Sequence, residues 1–118
     1  MTPEELKERT KQIAVKVVQL TVSFPRTREA EVLGRQLLRS GTSVGANYRA
    51  ACRARSKTDF INKIGIVEEE ADESLYWMEV MLASKIVSLQ TVEPLMREMR
   101  ELLAIFTASG RTAKAHRS

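Results

Sequence analysis

Apolar residues recur along this chain in steps of three and four, in four separate blocks. The clearest block carries Phe60, Ile64, Val67, Ala71, Leu75, Met78, Leu82 and Ile86, the spacing of one buried helical face. It begins behind Ser56, whose hydroxyl can cap a helix with Asp59 three residues on. The first block puts Leu6, Ile13, Val17 and Leu20 on one face. Thr2 can cap it, Pro3 suits its first turn, Glu5 completes a capping box, and Phe24-Pro25 ends it. The last block follows a Thr91 cap with Pro94 in the first turn, turns Leu95, Met99, Leu102 and Phe106 inward, and is expected to stop at Gly110.

The second block is less plain. From about Thr27 to Ala54, Ala30, Leu33, Leu37, Ser40, Val44, Asn47, Tyr48 and Ala51 share a face, provided one helix runs through Ser40-Gly41-Thr42-Ser43-Val44-Gly45. Each glycine costs a helix roughly 1 kcal/mol relative to alanine. The apolar phase is the same on both sides of the glycines, so the expectation is a continuous helix whose small residues admit a close neighbour. Four long helices with short connections favour antiparallel neighbours. The expected fold is therefore all-α: an up-down-up-down antiparallel four-helix bundle over residues 1–110, with a disordered basic tail over 111–118.

A second apolar set complicates that bundle. On a helical wheel Ile66, Trp77, Val80 and Met81 fall nearly opposite the core stripe of the third helix, and Val15, Val18 and Val22 do the same on the first. A helix apolar on two faces wants two neighbours. Ile66, Trp77, Val80 and Met81 are accordingly read as an oligomer interface anchored by Trp77.

At 118 residues the chain has room for one core. Gly and Pro total 8 residues, in keeping with a helical protein. The single Cys52 has no internal disulfide partner and reads as a small buried residue. With no signal-like start and no apolar run near the ~20 residues of a membrane span, a cytoplasmic location without membrane contact is expected. The net charge of +4 falls to +1 once Arg111, Lys114 and Arg117 are set aside with the tail. Its distribution is more informative. Arg26 to Lys63 holds nine basic residues against Glu29, Glu31 and Asp59, and Glu68 to Glu79 holds six acids and no base.

Catalytic patterns are absent. The one histidine, His116, lies in the tail, leaving Cys52 and the serines without a base. Glu69, Glu70 and Glu73 lack the Glu-x-x-His pairs of a di-iron bundle. The glycine segment matches neither a P-loop nor a dinucleotide fingerprint. No enzyme, metal, cofactor or small-molecule substrate is expected. The basic set is the remaining candidate. On a continuous second helix Arg35, Arg39, Arg49 and Arg53 form an outer stripe about 27 Å long, extended by Arg55, Lys57 and Lys63. Guanidinium rows suit phosphate backbones. The competing reading pairs these arginines with the acidic block, within the subunit or across an interface. No aromatic residue is interleaved with the bases, which argues against stacking on single strands.

Leu37-Leu38-Arg39-Ser40-Gly41-Thr42-Ser43-Val44-Gly45-Ala46-Asn47-Tyr48-Arg49, then Ala51-Cys52-Arg53-Ala54-Arg55-Ser56, then Glu68-Glu69-Glu70-Ala71-Asp72-Glu73-Ser74-Leu75-Tyr76-Trp77, resemble the four-helix bundle family of 23S rRNA intervening-sequence proteins. The resemblance implies a ring-shaped homopentamer and a nucleic-acid connection, since related retroelement accessory proteins work with a reverse transcriptase and its RNA. It identifies no reaction. Ala50 and Gly45 stand where many members have an acid and a proline. The reading is a non-enzymatic homo-oligomer binding RNA or DNA through Arg35, Arg39, Arg49, Arg53, Arg55 and Lys57. The alternative is a protein-interaction scaffold without nucleic-acid binding, marked by arginines already occupied by Glu69, Glu70 and Glu73.

Overall fold

Two of the three expected caps, Thr2 and Ser56, stand where the sequence puts them, and Thr27 caps the second helix near its expected start. In the computed structural model, which describes residues 1–116, the helices are α1 (Pro3–Val22), α2 (Arg28–Cys52), α3 (Lys57–Ala83) and α4 (Leu89–Ala115). Thr2 accepts from the Glu5 N–H at 3.1 Å, Thr27 from Ala30 at 3.2 Å and Ser56 from Asp59 at 3.0 Å. Each bond satisfies one of the donors that a helix start leaves unpaired. The third expected cap differs. Ser88, not Thr91, opens α4 and accepts from the Thr91 N–H at 3.2 Å. Val92 then donates to the Ser88 carbonyl, so the helix is under way before Pro94, which stands inside the helix rather than in its expected first turn and leaves the Gln90 carbonyl without its i+4 donor.

α4 also runs past Gly110 to Ala115, so the expected tail is helical up to that residue; Arg117 and Ser118 lie outside the described residues. Gly110 is buried rather than terminal. A Cβ there would stand 2.9 Å from the Glu68 carboxylate and 3.3 Å from an Ile64 methyl. It is a site of close α3–α4 approach, which its lack of a side chain permits.

The same physics carries α2 unbroken through Gly41 and Gly45. A Cβ on Gly41 would meet two Val17 methyls at 3.0 and 3.1 Å, and one on Gly45 would meet the Thr10 hydroxyl at 3.1 Å. The glycines thus let α1 lie close on α2, and that packing offsets their poor helix propensity. On the other side of α2, Ser40 and Ser74 are fully buried and bond hydroxyl to hydroxyl at 3.0 Å, fastening α2 to α3. Gly65, by contrast, faces open space: a Cβ there would have no neighbour within 4 Å. Gly65→Ala should therefore raise stability by roughly 0.5–1 kcal/mol through helix propensity alone; a fall in thermal midpoint would show a neighbour at that position.

The helices pack side by side as a bundle within 51 × 21 × 21 Å. Its core runs through Ile13, Val17, Leu37, Val44, Ile64, Val67, Met78, Met99, Leu102 and Phe106. α1 meets α4 more thinly than the other neighbouring pairs meet. There Arg9 forks onto Glu98 at 2.6 and 3.0 Å and reaches Glu101 at 3.1 Å. The Glu98 bonds, opposed by partial burial, raise the Arg9 pKa above its ordinary value, so the clamp stays charged.

Two burial expectations are corrected. Met81 is fully buried (0 % exposed) and belongs to the core. It follows Met78 by three residues and so lies on the flank of the core stripe rather than opposite it. The chain reversal closes behind it, with the Ile86 and Val87 N–H groups both directed at its carbonyl. Cys52 is exposed, because Ala51 takes the inward position at the end of α2.

Candidate nucleic-acid interface

The expected basic stripe divides in two along α2. Its first half is engaged. Arg35 reaches Glu31 one turn back at 2.8 Å. Arg39 crosses to α3, contacting Glu70 at 3.2 Å and Glu73. Glu73 also accepts the Trp77 indole N–H at 3.1 Å, so one carboxylate ties the arginine of α2 to the tryptophan of α3. The acids that hold Arg39 are thus two of the three that the scaffold reading names; Glu69 forms no ion pair among the described residues.

The second half differs. Arg49, Arg53, Arg55 and Lys57 are exposed, and none has a carboxylate within ion-pair distance among the described residues. The local structure explains why they cluster. Arg49 stands on the last turn of α2, where a positive charge suits the helix C-terminus. Arg53 caps that helix, its N–H donating to the Ala50 and Ala51 carbonyls. The connection is short, and Lys57 already begins α3. Asp59 is the nearest acid in sequence, but Lys63 holds its carboxylate at 2.6 and 2.7 Å, and the Arg55 N–H donates to it at 3.3 Å. The Lys63 ammonium first, then the Arg55 backbone N–H, keeps Asp59 below the usual carboxylate range. Lys63, which the sequence joins to the basic region, is consumed by this turn.

The expected interface set is likewise split. Ile66 is 44 % exposed, Val80 is half-buried and Met81 is interior. Trp77 is half-buried against its own core, with Tyr76 edge-on at 5.1 Å. Tyr76 itself is 56 % exposed and is the more outward of the two aromatics; its place among the charged residues of the acidic block hides it in the sequence. Val15, Val18 and Val22 are exposed on α1, as the wheel places them.

Other chemistry finds little footing here. Among the described residues no three His, Cys, Asp or Glu side chains come together to hold a metal ion, and no helix is long and apolar enough to cross a membrane. Burial, and then the neighbouring Cys52 thiol, push the Tyr48 phenol above its ordinary pKa. Asn47, expected inward, is half-buried and spends its amide on the Ser43 carbonyl at 2.8 Å.

A bundle of four helices with an unpaired basic cluster at one interhelical turn is the class that fold and surface define. The profile of the 23S rRNA-intervening sequence protein family matches residues 4–108, and the chain belongs to that family. The chain is similar to a crystal structure from Bacteroides thetaiotaomicron, described as a protein of unknown function from the S23 ribosomal protein family. The two are 32 % identical, with a TM-score of 0.85 over 94 % of this chain and 99 % of that one. A search among curated proteins finds no match.

Proposed function

We propose that this protein is a non-enzymatic, cytoplasmic homo-oligomer that binds RNA or DNA through the second half of the basic stripe. The observation that carries the reading is the state of Arg49, Arg53, Arg55 and Lys57: four exposed cations on about one turn of α2, a short connection and the start of α3, without carboxylate partners among the described residues. Arginines that serve only to hold a fold are expected to be paired, as Arg9 and Arg39 are. Unpaired guanidinium groups offer several planar donors to phosphate at little reorganisation cost. Arg35 and Arg39 drop out of the proposed site, since each would first have to leave its glutamate.

Family membership supports the nucleic-acid connection only through the family's name. For assembly, the exposed Val15, Val18, Val22, Ile66 and Tyr76 support burial against further copies, and the resemblance supports a pentamer of up-down-up-down subunits. One observation favours the scaffold alternative: the Arg39–Glu70–Glu73 contacts. They concern the half of the stripe that the proposed site does not use.

The test is Arg49→Glu with Arg53→Glu. Binding to labelled RNA and DNA should weaken to a similar degree whatever the sequence. The slope of log K against log salt should flatten by roughly 0.7–0.9 for each phosphate that is no longer neutralised, with the assembly mass from light scattering unchanged. Equal binding by the double variant would transfer the basic cluster to the scaffold reading.

A further inference from the structure

At the end of the bundle where α2 gives way to α3, two clefts adjoin. One, of about 500 Å³, lies among Leu6, Tyr48, Cys52 and Ala54. The other, of about 600 Å³, lies among Lys57, Ile105, Thr112 and His116. Phe60 lines both, as do Met1 and Ser109, so the two clefts adjoin as halves of a groove with Phe60 in their shared wall. Phe60 is only partly buried. The sequence pattern counts it in the core, but it stands on the first turn of α3, where the bundle is ending and no further layer covers it among the described residues.

One wall of this groove carries a free base, Lys57. Arg53 and Arg55 do not line it but stand exposed in the connection beside the lining residues Cys52, Ala54 and Ser56. Glu4 also lines it, but Lys7 on the same wall pairs with that carboxylate at 3.3 Å, leaving the local balance positive. The groove therefore sets an aromatic ring in an apolar trough beside Lys57, with Arg53 and Arg55 in the adjoining connection, and none of the three cations has an acidic partner among the described residues.

We propose that this groove takes an unpaired nucleotide of a single strand, its base against Phe60 and its neighbouring phosphates on Arg53, Arg55 and Lys57. The proposal rests on the nucleic-acid reading above and adds to it the strand state and the residue that contacts the base. A duplex keeps its bases stacked inside, so it could meet these cations but not the groove. A single strand gains both, and stacking on an aromatic side chain is tolerant of base identity. The protein should accordingly prefer single-stranded segments while showing little sequence preference.

The experiment compares three labelled probes by fluorescence anisotropy: a single strand, the same sugar-phosphate strand made abasic throughout, and a duplex. Wild-type protein should bind the normal strand more tightly than the abasic one. Phe60→Leu, which keeps an apolar side chain there, should weaken binding of the normal strand by about 5- to 10-fold and leave the abasic strand and the duplex unchanged. Wild-type protein that binds the abasic strand as tightly as the normal one overturns the groove while the nucleic-acid reading stands, and this comparison does not depend on how the variant folds. A Phe60→Leu loss equal on all three probes overturns it too. Absence of wild-type binding to every probe at low salt overturns both readings together.

Discussion

Phe106→Ala should lower the unfolding free energy by about 3–5 kcal/mol, the range for deleting a fully buried aromatic ring. Phe106 is 0 % exposed, and its ring lies 5.2 Å from that of Tyr48, tilted by 37°. It therefore joins α4 to α2 across the core as well as filling volume. Removing it forfeits the transfer energy of the ring, the aromatic contact and the packing around the space left behind. A domain of this size has about 5–15 kcal/mol of stability in all. Urea unfolding followed by circular dichroism is the measurement, with the midpoint falling and the slope unchanged. A decrease below about 1 kcal/mol would mean that α4 does not seat Phe106 against Tyr48.

Leucine at both Gly41 and Gly45 should have an effect of similar size and opposite origin. Even a single added carbon at Gly41 would press on two Val17 methyls, and at Gly45 it would approach the Thr10 backbone carbon at 3.4 Å. Val17 can adjust its rotamer only within a filled core, and the Thr10 backbone cannot move without shifting α1. Overpacking costs about 1–3 kcal/mol at each such site, partly offset by the roughly 1 kcal/mol that replacing glycine in a helix returns. The doubly substituted protein should melt lower and bind an apolar dye as α1 is lifted from α2. A rise in melting temperature would show that helix propensity, not the α1–α2 seam, governs these positions.

These two cases also separate what is legible in the sequence from what is not. Phe106 and the glycines can be placed from spacing alone, because a helix repeats every 3.6 residues and the apolar phase survives Gly41 and Gly45. The caps at Thr2 and Ser56 are legible for a related reason: a hydroxyl reaching the N–H three residues on is a local event. Ser88 is masked by Thr91, since both hydroxyls stand ahead of an apolar run and Pro94 suits the later start. The end of α4 is misleading because Gly110 looks the same in sequence whether it stops a helix or lets two helices touch. Glu68 and Ile64, which decide between those roles, are more than forty residues away in the chain.

Four helices, their order, most of the core and the basic and acidic segments follow from the amino-acid sequence, because short-range periodicity and local hydrogen bonding are enough to set them. Which charges remain available is settled by packing. Whether an arginine is spent depends on an acid brought near from another helix, so Arg39 is lost to Glu70 and Glu73 on α3, while Arg49, Arg53, Arg55 and Lys57 gather at a turn whose one acid Lys63 already holds. Packing likewise opens the trough beside Phe60, because a groove at the end of a bundle is built from residues of several helices at once.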